Sequence, residues 1–106
     1  MSMIYIKTHE AENGSLIAMC DESLIDKTLS EGDIFIDIKA YNSFYKGELV
    51  SEERAKKIIE ERDVVYSANI IGKEAVGIAL KTGIIEKENV LTVKKVPYAH
   101  AYKVDY

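Results

Sequence analysis

The chain has 106 residues, of which 47% are hydrophobic and 30% charged, with a formal net charge of −4. That length holds one modest core, so residues 1–106 read as a single globular domain; abundant apolar β-branched residues, with only six glycines and one proline, exclude a disordered chain. The acidic total excludes a non-specific binder of the nucleic-acid backbone, which needs a basic field.

The charge is unevenly spread. Met1 to Glu53 holds four lysines against eleven acids, a net of −7, whereas Arg54 to Tyr106 holds ten basic and seven acidic residues, a net of +3. A local basic surface is therefore open to the second half. Cys20 is the only cysteine, which rules out an intrachain disulfide and fits a reducing compartment. No stretch approaches the ~18 apolar residues of a membrane span, and the N-terminus lacks the order of a signal peptide. The expected location is the cytoplasm, away from membranes. Asn13-Gly14-Ser15 matches a glycosylation acceptor, a match without weight in an unsecreted chain.

In chain order, Met3–Lys7 and Leu16–Cys20 are β-prone runs around Asn13-Gly14, a dipeptide suited to a type I′ turn, and predict an N-terminal β-hairpin. A two-residue loop there sets Lys7 opposite Cys20 and His9 opposite Ala18. One face then carries Ile4, Ile6, Thr8, Ile17 and Met19 toward the core; the other carries Tyr5, Lys7, His9, Leu16, Ala18 and Cys20. Asp21 is a good N-cap for a short helical turn through Ile25. Glu31-Gly32-Asp33 is a turn before a strand, Ile34–Ile38. Tyr41 to Val50 is irregular, and its aromatics Tyr41, Phe44 and Tyr45 suit the edge of a core or the wall of a cleft.

Ser51 caps the clearest helix, about 51–62, with Ala55, Ile58 and Ile59 as its apolar stripe and Glu52–Lys56, Glu53–Lys57 and Lys57–Glu61 as pairs on its wet side. Asp63 to Ile71 is extended. A second helix, about 72–82, turns Ala75, Val76, Ala79 and Leu80 inward and ends at Gly83, where positive φ is wanted. Gly77 within it points to close packing against another backbone. Val90–Val93 and Val96–Val104 are strands, with Pro97 at an edge or a strand start. The expected class is α+β, with mostly antiparallel strands and two principal helices.

Three constellations carry chemistry. Lys7 and His9 beside Cys20 would favour a thiolate and supply a base, with Asp21 adjacent; equally, Cys20 is a small buried hydrophobe. Tyr98, His100 and Tyr102 alternate onto one strand face near Lys94 and Lys95, a row suited to stacking bases or to lying under a helix. Asn69, Gly72 and Lys73 lead an extended run into a helix whose free N–H groups suit an anion, or simply form the turn. No spacing matches a zinc site, a P-loop or a dinucleotide fingerprint, so neither metal nor cofactor is expected.

Four segments, Ala18-Met19-Cys20-Asp21-Glu22, Tyr45-Lys46-Gly47-Glu48-Leu49-Val50-Ser51, Ala68-Asn69-Ile70-Ile71-Gly72-Lys73-Glu74-Ala75-Val76 and Val96-Pro97-Tyr98-Ala99-His100, resemble in their order the archaeal family catalogued as domain of unknown function 424. The resemblance spans nearly the whole chain and implies an archaeal cytosolic α+β protein, with no activity, substrate or cofactor attached. The closing segment of that family reads Pro-His-Ala-Gln, where this chain has Pro97-Tyr98-Ala99-His100. With no complete catalytic set, the expected function is a non-enzymatic binding or adaptor module linked to translation or RNA, its partner a protein or an RNA. The alternatives are a small cysteine-dependent or acid–base enzyme using Cys20, Asp21 and His9 or His100, and an oligomerisation or scaffold unit that forms a homo-oligomer.

Overall fold

The computed structural model describes residues 3–12, 14–62 and 64–102. The Asn13 half of the expected turn, Asp63 and the strand residues beyond Tyr102 lie outside them. Six strands form one sheet in the order β5-β1-β2-β6-β8-β7: β1 Ile4–Ala11, β2 Gly14–Asp21, β5 Glu48–Val50, β6 Val65–Ile71, β7 Val90–Val93 and β8 Val96–Tyr102. All neighbours are antiparallel except β2 and β6. A second, two-stranded sheet pairs β3 Thr28–Glu31 with β4 Ile34–Asp37. The fold is α+β, with helices α2 Glu52–Glu60 and α3 Lys73–Thr82 and a one-turn helix α1 Asn42–Tyr45 in the stretch expected to be irregular.

Period-two alternation gives the central sheet two buried faces. Ile4, Ile6, Ile17, Met19, Ala68 and Ile70 meet Ala55, Ile58 and Ile59 of α2 and Ala75, Val76, Ile78 and Ala79 of α3. On the opposite face Ala18, Cys20 and Ile71 pack with Ile38 and Tyr45, flanked by Leu24, Leu29, Ile36 and Phe44. Each fully buried isoleucine, such as Ile17 or Ile70, contributes about 1.5–3 kcal/mol through removal from water. The helices thus cover one face, and residues 24–45 cover the other.

Several local expectations are corrected by tertiary contacts. The hairpin pairs Ala11 with Gly14, so Lys7 faces Ala18, His9 faces Leu16 and Cys20 faces Tyr5, two positions away from the expected register. The start of β2 is tied to the segment entering β6: the Ser15 N–H donates to Val64 O at 2.8 Å, and a Cβ on Gly14 would lie 2.7 Å from the same oxygen. A slip of two leaves each side chain on its expected face. In α3, Leu80 is exposed and Ile78 takes the inward place, while Gly77 has no neighbour near the position of a Cβ, so no backbone packs against it. Of the three pairs expected along α2, Glu52–Lys56 forms, at 3.2 Å; the acid of that pair also reaches Lys81 of α3.

Candidate ligand-binding cleft

Strands β6 and β8 set Asn69 opposite His100 and Ile71 opposite Tyr98. Alternation places these four side chains on the face away from α2 and α3. Above that face stand Phe35, Ile36 and Asp37 of β4 and the aromatics Tyr41, Phe44 and Tyr45 around α1, and the space between is a cleft of ≈ 380 Å³. Phe35 and Tyr41, 65% and 63% exposed, form its open rim. The Tyr98 and His100 rings meet edge to face with centroids 6.3 Å apart, and Phe44 and Tyr45 do the same at 5.2 Å.

The cleft is aromatic, with polar groups on its floor. The Asn69 amide, the Tyr98 hydroxyl and the His100 imidazole make no side-chain hydrogen bond to any described residue, so all three remain available to a guest. Asp37 is committed in part, its Oδ1 accepting from the Ala40 N–H at 2.9 Å. Among the described residues neither lysine nor arginine lines the cleft.

His9 and Lys7, expected beside the thiol, hold the α1 wall. His9 stacks on Phe44 with centroids 4.7 Å apart and planes 15° from parallel, and its Nε2 lies 3.0 Å from Phe44 O. The Lys7 ammonium donates to Ser43 O at 2.6 Å. Two successive carbonyls of a single-turn helix, which has few internal bonds to hold it, are thus met by side chains from β1. Cys20 lies beneath the wall, 0% exposed, its thiol pushed up to about 12 by burial and then by the Asp21 charge. Burial likewise raises the Tyr45 phenol to about 12.

The remaining expected site residues fall elsewhere. The anion position at the start of α3 is filled from within the chain: Asp21 Oδ1 accepts from the Ala75 N–H at 2.8 Å and Oδ2 from the Glu74 N–H at 3.1 Å. Asp21 makes no cap bond to the turn that follows it, so the expected local cap is replaced by one on α3. Gly72, at φ +113, gives that carboxyl its room, since a Cβ there would overlap it. Lys73 is exposed on the first turn of α3 and does not line the cleft. Tyr102 shares the face of Tyr98 and His100 but is 72% exposed and borders a separate cavity beside Gly83 and Glu86. Among the described residues no three His, Cys, Asp or Glu side chains gather as a metal site would need.

The structure thus brings Asn69, Tyr98 and His100 together and leaves Cys20, Asp21, Gly72, Lys73 and Tyr102 out of the cleft. Sequence reasoning missed Phe35 and Asp37 as cleft residues. The signal for Tyr41, Phe44 and Tyr45 was their clustering in an irregular stretch, whereas Phe35 and Asp37 read as an ordinary alternating strand.

An α+β sheet with one helical layer and an aromatic cleft in the other defines the class. Residues 8–104 match the family described as Protein of unknown function (DUF424), and the chain belongs to that family. Its fold is similar to that of the crystal structure of an uncharacterized conserved protein from Methanopyrus kandleri, with a TM-score of 0.77 and 23% identity over 94% of this chain and 90% of that one. No functionally curated protein matches the chain. No helix among the described residues is long and apolar enough to cross a membrane.

Proposed function

We propose that this protein is a non-enzymatic binding module of the cytoplasm, serving an RNA-linked process, and that its cleft takes a flat ring such as an unpaired nucleobase. The observation that carries this reading is the convergence of aromatic rings from three separate parts of the chain on one cleft of ≈ 380 Å³ whose floor groups have no hydrogen-bond partner among the described residues. Sites for small guests span roughly 300–1,000 Å³, and unstacked bases are held on aromatic side chains with their edges hydrogen-bonded. The described basic residues of the second half lie outside the cleft, so the guest is held by its ring and not by phosphate.

Titration of ¹⁵N-labelled protein with short single-stranded RNA tests the reading. Shifts confined to amides near Asn69–Ile71 and Tyr98–His100, lost in Tyr98→Ala, are expected; no shift at those amides at millimolar RNA removes it. Weak dependence on salt is also expected, because each neutralised phosphate would add a slope of about −0.7 to a log–log plot for a single strand.

The cysteine-enzyme alternative has weaker physical support. A thiol that is buried and held protonated to about pH 12 is a poor nucleophile, and its expected partners Lys7 and His9 are engaged at α1. Native Cys20 is expected to resist alkylation at neutral pH and to react on unfolding; rapid labelling of the folded protein would restore the enzymatic reading.

A further inference from the structure

We infer that the guest of the aromatic cleft is an adenine base and that Asn69 reads its edge, an inference that rests on the binding reading above. The Asn69 side chain stands on the cleft floor directly across from His100, with its carboxamide making no hydrogen bond to any described residue. A carboxamide offers one acceptor and two donors in a plane. Adenine answers this with an amino donor beside a ring-nitrogen acceptor, so that Asn forms a paired contact with it; guanine presents two acceptors on the same edge and is met by Arg or Lys. Neither Arg nor Lys lines the cleft among the described residues. Pyrimidines have a smaller ring face to set against Tyr98, Phe44 and Phe35, so stacking also favours the purine.

Asp37, a carboxylate in the lining, disfavours a phosphate in the cleft. The base therefore enters with its sugar and phosphate toward the open rim, where Phe35 and Tyr41 are exposed. A free adenine nucleoside and an adenine splayed from a single strand present the same ring and edge, and the two sources are separated by experiment.

Wild-type protein is titrated with adenosine, guanosine, purine riboside (the same ring without the amino group) and a uridine-rich octaribonucleotide carrying one adenine, with backbone amide shifts as readout. Adenosine or the octamer is expected to move the amides of 69–71 and 98–100. Guanosine and purine riboside should bind roughly ten- to hundredfold more weakly, the discrimination that one paired contact supplies. Asn69→Ala should reduce adenosine or octamer binding by a similar factor without changing the spectrum of the free protein elsewhere. Binding by adenosine alone identifies a free nucleoside as the source, and binding by the octamer alone identifies a strand. If purine riboside binds wild-type protein as tightly as adenosine, or Asn69→Ala binds as tightly as wild type, the adenine inference is overturned while the aromatic cleft keeps its role. If an all-uridine octamer binds as tightly as the octamer carrying adenine and adenosine does not bind, adenine is again excluded and base binding stands. Silence of the cleft amides to every probe overturns both.

Discussion

Asp21 joins the end of β2 to the first turn of α3, its two carboxyl oxygens accepting from Glu74 and Ala75 fifty-three and fifty-four residues on. Removing the carboxyl in Asp21→Ala leaves both N–H groups without that acceptor and is expected to cost about 2 kcal/mol, measured as a lowered urea midpoint. Gly72→Ala should cost about 1–3 kcal/mol from its positive φ alone, and more through overlap with the Asp21 carboxyl. The double variant should therefore lose less than the sum of the two, because the overlap is relieved once the carboxyl is gone. Strict additivity would show that the two residues do not share one site. Burial outweighs the N–H bonds and raises the Asp21 carboxyl above its usual range. The proton-linked part of its contribution is fully present below the unfolded pKa and is lost as pH rises through the raised value, so the cost of Asp21→Ala is expected to be larger in acid than at neutral pH.

The paired helices invite two tests at the level of the element. Gly77 sits in the interior of α3 with open space where a Cβ would go, so Gly77→Ala is expected to stabilise by about 0.5–1 kcal/mol, read as a raised Tm. Between the helices, Glu52 accepts from Lys81 at 3.1 Å and pairs with Lys56 at 3.2 Å, and these bonds, Lys81 first, hold its carboxyl below the usual range. A lowered folded-state value means stability that is present above the unfolded pKa of about 4.3 and is lost as pH falls through the folded one. Thermal melts of wild type and Glu52→Gln should converge on acidification, and the difference between them at neutral pH should shrink in high salt because all three groups are solvated. A gap that persists at low pH would show that the glutamate acts through something other than its charge.

Across the whole molecule, stability is expected to be graded. Strands β2 and β6 lie at the centre of the sheet with both faces covered, whereas β3 and β4 form a separate pair whose residues are mostly exposed. Native-state hydrogen exchange should therefore be slowest at amides of Ile17–Met19 and Ala68–Ile70 and much faster in the hairpin that carries Phe35. Equal protection in both places would mean that the small sheet opens only with the whole fold. The same gradient suits the proposed cleft, with a rigid floor on β6 and β8 and a rim on the least protected pair.

What is encoded locally was legible in the residues themselves. The core face of the N-terminal hairpin, the stripe of Ala55, Ile58 and Ile59, the Ser51 cap and the left-handed Gly83 each follow from neighbours within a few positions. The sequence by itself therefore determined the α+β class, the core side of the N-terminal hairpin, and the aromatic row of Tyr98 and His100. Tertiary structure decided what depends on partners distant along the chain: the hairpin register pinned at Val64, the Asp21 carboxyl spent on α3, His9 and Lys7 drawn to α1, and a cleft whose walls come from residues 35–45 and whose floor comes from residues 69–100. The physical reason is that side-chain periodicity sets a face within one element, whereas hydrogen-bond partners and cavity walls are chosen by which elements the folded chain brings side by side.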